Sequence, residues 1–135
     1  MHAPIEAVAR FIATGDEHCL GVFADEGVTI LENFAPFLFT GPGAVGRWAE
    51  AMRAHTEPLT GLAHRFGSAC DLRMDEDRVF FTLPTHWSGA ADGRRFAEDG
   101  GWAVLIVRQA GAWRLLGYGW AVTHLVFADA AAPLP

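Results

Sequence analysis

The sequence predicts an α+β domain in which N-terminal helices cover one face of a curved, mostly antiparallel sheet. Three observations predict it. Apolar residues recur at helical spacing in the N-terminal part of the chain, around Ile5–Ile12 and again around Val45–Met52. From Gly61 onward, four long strand-like runs are joined by short polar or glycine-containing links. The 135-residue chain is 51% hydrophobic and only 19% charged, which suits one domain with one sizeable core.

The first helix carries Ile5, Val8, Phe11 and Ile12 on one stripe. Gly15 stops it, and Asp16 can cap a second short helix whose apolar face is Leu20 and Phe23. Val28–Phe34 is rich in β-branched residues and reads as a strand, followed by a short strand and turn in "APFLFTGPG". A third helix begins after Thr40-Gly41, with Pro42 in its first turn. It carries Val45, Trp48, Ala49 and Met52 on one stripe and ends near His55. The four later runs are "GLAHRFGSACDLRM", "RVFFTLPTHWS", "RRFAEDGGWAVLIVRQ" and "AWRLLGYGWAVTHLVF", the links being "DED", "GAADG" and "AGA". One domain over 1–127 is expected, with a flexible, proline-containing tail at 128–135.

Charge and cysteine content exclude several classes. A net charge of −6, with ten Arg scattered singly except for Arg94-Arg95, argues against nucleic acid and anionic membranes. Cys19 and Cys70 form no CxxC pair and are expected as small buried hydrophobes. "MHAPIEAVARF" is no signal pattern and no apolar run would span a bilayer, so a cytoplasmic location is expected. Nothing in the histidine spacing suggests a metal site, and no phosphate loop or nucleophile elbow is present, so neither metal nor cofactor is expected.

Four stretches together resemble the nuclear-transport-factor-2-like family, which includes the ketosteroid-isomerase-like and SnoaL-like domains of the cystatin-like cone group. They are "TGDEHCLGVFADEGVTI", "FTGPGAVGRWAEAM", "DEDRVFF" and "GAWRLLGYGW", in the family's order and spacing. The resemblance covers roughly residues 4–124. It implies a cone-shaped sheet wrapped around three N-terminal helices, a pocket at the open end, and homodimers formed through the convex face. It implies no single activity, since members include isomerases, dehydratases, binding proteins and domains without chemistry.

Strand phase decides which side chains face the pocket. Taking Arg65, Arg73, Arg78, Arg108 and Arg114 as outward, the inward set on the first long run is Leu62, His64, Phe66, Ser68, Cys70 and Leu72. On the second it is Val79, Phe81, Leu83, Thr85 and Trp87, and on the third Ala103, Leu105 and Val107. On the last it is Trp113, Leu115, Gly117, Gly119, Ala121 and Thr123. Gly117 and Gly119 then leave space on the concave side, while Phe80, His86, Trp102, Tyr118 and Trp120 gather on the convex side as a self-association surface. A bulge in "EDGG" would instead turn Tyr118 and Trp120 into the pocket.

Glu32 continues the inward alternation of Val28 and Ile30, so an ionisable group falls where a core residue is expected. Burial would raise its pKa and make it a general acid or base. Counting back from Gly41, the resemblance aligns it with the catalytic carboxylate of the ketosteroid isomerases. Counting forward from "FADE" lands on Leu31 instead. The alternative is a structural carboxylate bonded to a backbone amide or an Arg. His64, also inward, could assist by polarising a carbonyl, or be a histidine satisfied by its neighbours. No counterpart of the isomerases' Tyr and protonated Asp oxyanion pair is found. Phe34, Phe66, Thr85, Trp87, Gly117 and Gly119 are the expected pocket lining, and Trp48 and Trp113 read as core. The leading expectation is a domain that binds a small apolar molecule. The rivals are a cofactor-independent isomerase, dehydratase or related lyase using Glu32 on a carbonyl-bearing molecule, and a dimeric interaction module with a vestigial pocket.

Overall fold

The structure, a computed structural model, describes residues 2–129. Helix α1 (Ala3–Thr14) runs into a 3-10 helix (Glu17–Val22), and helix α2 (Ala44–Thr56) follows the short strands β1 (Thr29–Leu31) and β2 (Leu38–Thr40). The long strands are β3 (Leu59–Phe66), β4 (Cys70–Asp75), β5 (Arg78–Ala91), β6 (Arg94–Gln109) and β7 (Ala112–Asp129). They form one curved, unclosed sheet of order β2-β1-β7-β6-β5-β3, with β4 also on β5. All pairings are antiparallel except β1 with β7. The α+β cone expected from the sequence is therefore present. Among the described residues, no helix is long and apolar enough to cross a membrane.

Local chemistry explains the boundaries. Gly15 takes a left-handed conformation and its N–H closes α1 on the Phe11 carbonyl. The Asp16 carboxylate then accepts the His18 N–H and starts the 3-10 helix, which stands where a second α-helix was expected. Helix α2 begins at Ala44, so Pro42 lies in the preceding turn, and Arg47 donates to the carbonyls of Thr40 and Pro42 to hold that turn. Asp92 and Gly93 both have positive φ, as a tight two-residue turn between twisted strands requires. Of the expected tail, Ala128 and Asp129 belong to β7, and 130–135 lie outside the described residues.

The core fills the concave side. Ile5, Val8 and Phe11 of α1 and Trp48 and Met52 of α2 pack on Val79, Phe81 and Leu83 of β5, Val104 and Ile106 of β6, and Leu115 of β7. The inward phase expected for β5 and for Val28, Ile30 and Glu32 is what the structure has.

Three phase expectations are overturned. The first long run is two strands, not one, because it breaks where it meets Pro84 of β5. Proline has no N–H for the ladder, and only its carbonyl is used, by Gly67. Ser68, Cys70 and Leu72 beyond the break are exposed, so Cys70 is not a buried hydrophobe, whereas Cys19 is. On β6 the inward residues are Phe96, Glu98, Trp102, Val104 and Ile106, opposite to the phase set from Arg108. Arg108 shares their parity but sits past the core at the strand end, over the Trp113 ring. On β7 an extra residue at Leu116 shifts the register against β6, so Leu115, Tyr118 and Trp120 all turn inward. A second extra residue, Thr123, falls opposite Asp99–Gly100. The register break anticipated near "EDGG" is real, but the bulging residues are on β7.

Candidate functional site

The glycines of β7 serve the strand packing rather than the pocket. A Cβ on Gly117 would lie 2.4 Å from the Thr29 carbonyl oxygen, so only glycine lets β1 approach β7 this closely. Gly119 lies beside the exposed Leu31 side chain. Both are on the face away from the cavity, and neither lines it, contrary to expectation.

At the open end is a cavity of about 300 Å³, bounded by α1, α2, the segment that follows β1, and strands β3, β5, β6 and β7. Its wall is mostly apolar and aromatic. Among the lining residues are Phe34, Trp87, Phe96, Trp102, Trp120 and Phe127, with Glu32, His55 and Glu98 as its ionisable groups. Of the expected lining, Phe34 and Trp87 are there. Phe66 packs beside His64, and Thr85 is buried with its hydroxyl donating to the Leu83 carbonyl, so neither reaches the cavity.

Glu32 leaves β1 just before the turn into β2, its own N–H fixed on the Phe37 carbonyl 2.9 Å away. The side chain is 7% exposed and lines the cavity. Trp48 Nε1 donates to Oε2 at 2.9 Å, and the Tyr118 hydroxyl donates to the same oxygen. Oε1 accepts no hydrogen bond from the described residues. Burial pushes the Glu32 carboxyl up to about 7, against the opposing pull of the Tyr118 and Trp48 donors, and the Glu98 charge pushes it further up. Burial and the Glu32 charge raise the Tyr118 phenol well above its usual range, so it stays a donor. A carboxyl titrating near neutrality holds or gives up a proton at little cost, and its second oxygen is free for a ligand.

The other expected groups are placed differently. His64 faces inward but lies against Phe66 and Trp87 and does not line the cavity, so it is not placed to polarise a carbonyl held there. Burial lowers its pKa. The convex surface loses its three largest members. Trp102 is 1% exposed, Tyr118 is buried on Glu32, and Trp120 lines the cavity. Only Phe80 and His86 of that set face the convex side, where His86 Nδ1 meets Asp99 Oδ1 at 2.8 Å.

Several cavity residues were not singled out from the sequence. His55, whose ring stacks on Phe34 at 4.2 Å, lies seven residues beyond Trp48 on the same helix face, a spacing that could have found it. Burial lowers its pKa. Glu98 shares parity with Phe96, Trp102 and Val104, and an apolar-phase reading of β6 instead of one set by Arg108 would have turned it inward.

No protein-family model matches the sequence, and no curated protein matches it. Solved structures do match by fold. The hexachlorocyclohexane dehydrochlorinase LinA-type3 from Novosphingobium barchaimii LL02 has TM-score 0.81 at 9% identity, covering 99% of this chain and 91% of that one. A scytalone dehydratase-like protein from Novosphingobium aromaticivorans DSM 12444 has TM-score 0.73 at 13% identity, covering 93% and 85%. An NTF2-like protein of unknown function from Pseudomonas putida KT2440 has TM-score 0.67 at 13% identity, covering 87% and 80%. The chain thus has the NTF2-like cone fold.

Proposed function

We propose that the cone cavity binds a small, largely apolar molecule and that Glu32 moves a proton to or from one of its carbon atoms, without a cofactor. The observation that carries this reading is Glu32 itself. It is a carboxyl 7% exposed at the wall of an apolar cavity, raised to about 7, with Oε1 unengaged. In its ionised form it accepts a proton from carbon, while Trp48 and Tyr118 hold the other oxygen and fix the carboxylate plane. In its protonated form it delivers that proton to a different carbon of the delocalised anion, which shifts the double bond and completes an isomerisation. If the substrate instead expels a group from the neighbouring carbon, the outcome is an elimination. Two proteins that share the fold are named as a dehydrochlorinase and as scytalone dehydratase-like, and elimination of either kind removes a proton from a substrate.

The proton-transfer step can be tested before the substrate is identified. Small cyclic ketones incubated with the protein in heavy water should exchange their α-hydrogens for deuterium, read by proton NMR. The rate should rise with pH up to about 7 and then level, because the ionised carboxylate is the base. Glu32→Gln should slow it by roughly 100-fold or more. Equal exchange in the wild type and Glu32→Gln, or none above buffer, would overturn the assignment.

A further inference from the structure

The cavity wall is acidic as well as apolar. Among the described residues, its wall contains two carboxyls, Glu32 and Glu98, and no Arg. Its one basic side chain is His55, whose burial favours the neutral ring. Burial also raises the Glu98 pKa.

Glu98 stands within an aromatic surround fixed by strand register. Across β5 its partner is Trp87, and across β7 it is Leu125. Phe96 is the previous inward residue of β6. On the other side, at Gly100, a Cβ would lie 2.7 Å from the Trp120 ring and 2.3 Å from the Ala121 carbonyl oxygen. The missing side chain therefore lets the Trp120 indole lie over β6 between Glu98 and Trp102. The ring faces of such a wall attract positive charge through the aromatic quadrupole. Phe127, another lining residue, already has the Arg94 guanidinium over its ring at 4.7 Å.

We propose that the ligand of this cavity is a small organic cation, an apolar body with one positively charged nitrogen, the nitrogen lying against Glu98 among Trp87, Phe96 and Trp120. A carboxylate with surrounding rings satisfies the charge of a substituted ammonium without needing many hydrogen-bond donors on it. Glu32, across the same cavity, adds negative potential when ionised and remains free to act on the apolar part. The inference goes beyond the proton-transfer reading and concerns binding alone.

The test uses a matched pair of the same shape, phenyltrimethylammonium and tert-butylbenzene, titrated at about pH 8 with tryptophan fluorescence as the readout. At that pH Glu32, which titrates near 7, is ionised and His55 is neutral. The cation should bind about tenfold or more tightly than its neutral isostere. Glu98→Gln should remove most of that preference while leaving tert-butylbenzene binding within about twofold. Equal or tighter binding of tert-butylbenzene, no binding of the cation, or an unchanged preference in Glu98→Gln would overturn the proposal. Should Glu98→Gln fail to fold, the ratio in the unmodified protein decides by itself. A cavity that prefers the cation but catalyses no deuterium exchange would retain this inference and end the proton-transfer reading.

Discussion

Replacing Glu32 by Gln should make the protein more stable at alkaline pH than the wild type, although it alters a group at the centre of the site. In the unfolded chain the Glu32 carboxyl ionises near 4.5, whereas in the folded protein it ionises near 7. Between those values the folded state holds the proton more tightly, so stability from this group is lost as pH rises. The gap, at about 1.4 kcal/mol per pKa unit, corresponds to about 3 kcal/mol. Because Glu32 is 7% exposed, solvent screening removes little of it. Glutamine has nearly the same shape and keeps an acceptor oxygen for Trp48 and Tyr118, but it has no charge to desolvate. The assay is urea denaturation of both proteins from about pH 4 to about pH 8. Raised Glu98 and lowered His55 and His64 contribute to both proteins and largely cancel in the difference. The stability of Glu32→Gln relative to wild type should climb by about 3 kcal/mol across the range. Parallel pH curves would mean that Glu32 suffers no desolvation on folding, contrary to its burial.

Two further substitutions probe the frame and the site. Gly117→Ala puts a Cβ 2.4 Å from the Thr29 carbonyl, a contact with backbone that cannot rotate away, and should destabilise by roughly 3 kcal/mol in urea melts. Unchanged stability would mean that β1 can move off β7. Tyr118→Phe keeps the ring but removes a donor that pulls the Glu32 pKa down, so Glu32 should titrate about one unit higher. A fall or no change, read by carbon-13 NMR of the Glu32 carboxyl, would contradict the hydrogen bond.

The fold was legible because its signals are local and repeat. Helical spacing from Ile5 to Ile12, the left-handed stop at Gly15 and the Asp92-Gly93 turn are each written in a few adjacent residues. Glu32 was legible for the same reason: alternation with Val28 and Ile30 is short, uninterrupted and anchored on apolar residues. Phe34 and Trp87 were legible as lining in the same way, but the β7 wall of the cavity was not, because strand phase does not survive a bulge. Leu116 adds one residue to β7, and from the expected convex patch Trp120 passes to the cavity wall and Tyr118 to the buried bond with Glu32. Arg108 misled for a different reason. Inward parity excludes an unpaired charge only where a core lies beneath it, and at the end of β6 the guanidinium simply stacks on Trp113. The bond joining Tyr118 and Trp48 to Glu32 links residues far apart in the chain, and no local pattern announces it.

The proposed proton transfer requires that the Glu32 carboxyl exchange its proton near neutrality. A carbon-13 NMR titration of the Glu32 side chain in the folded protein measures this directly. The midpoint should fall at about 7. A midpoint near 4.5, the value of an ordinary exposed glutamate, would contradict it.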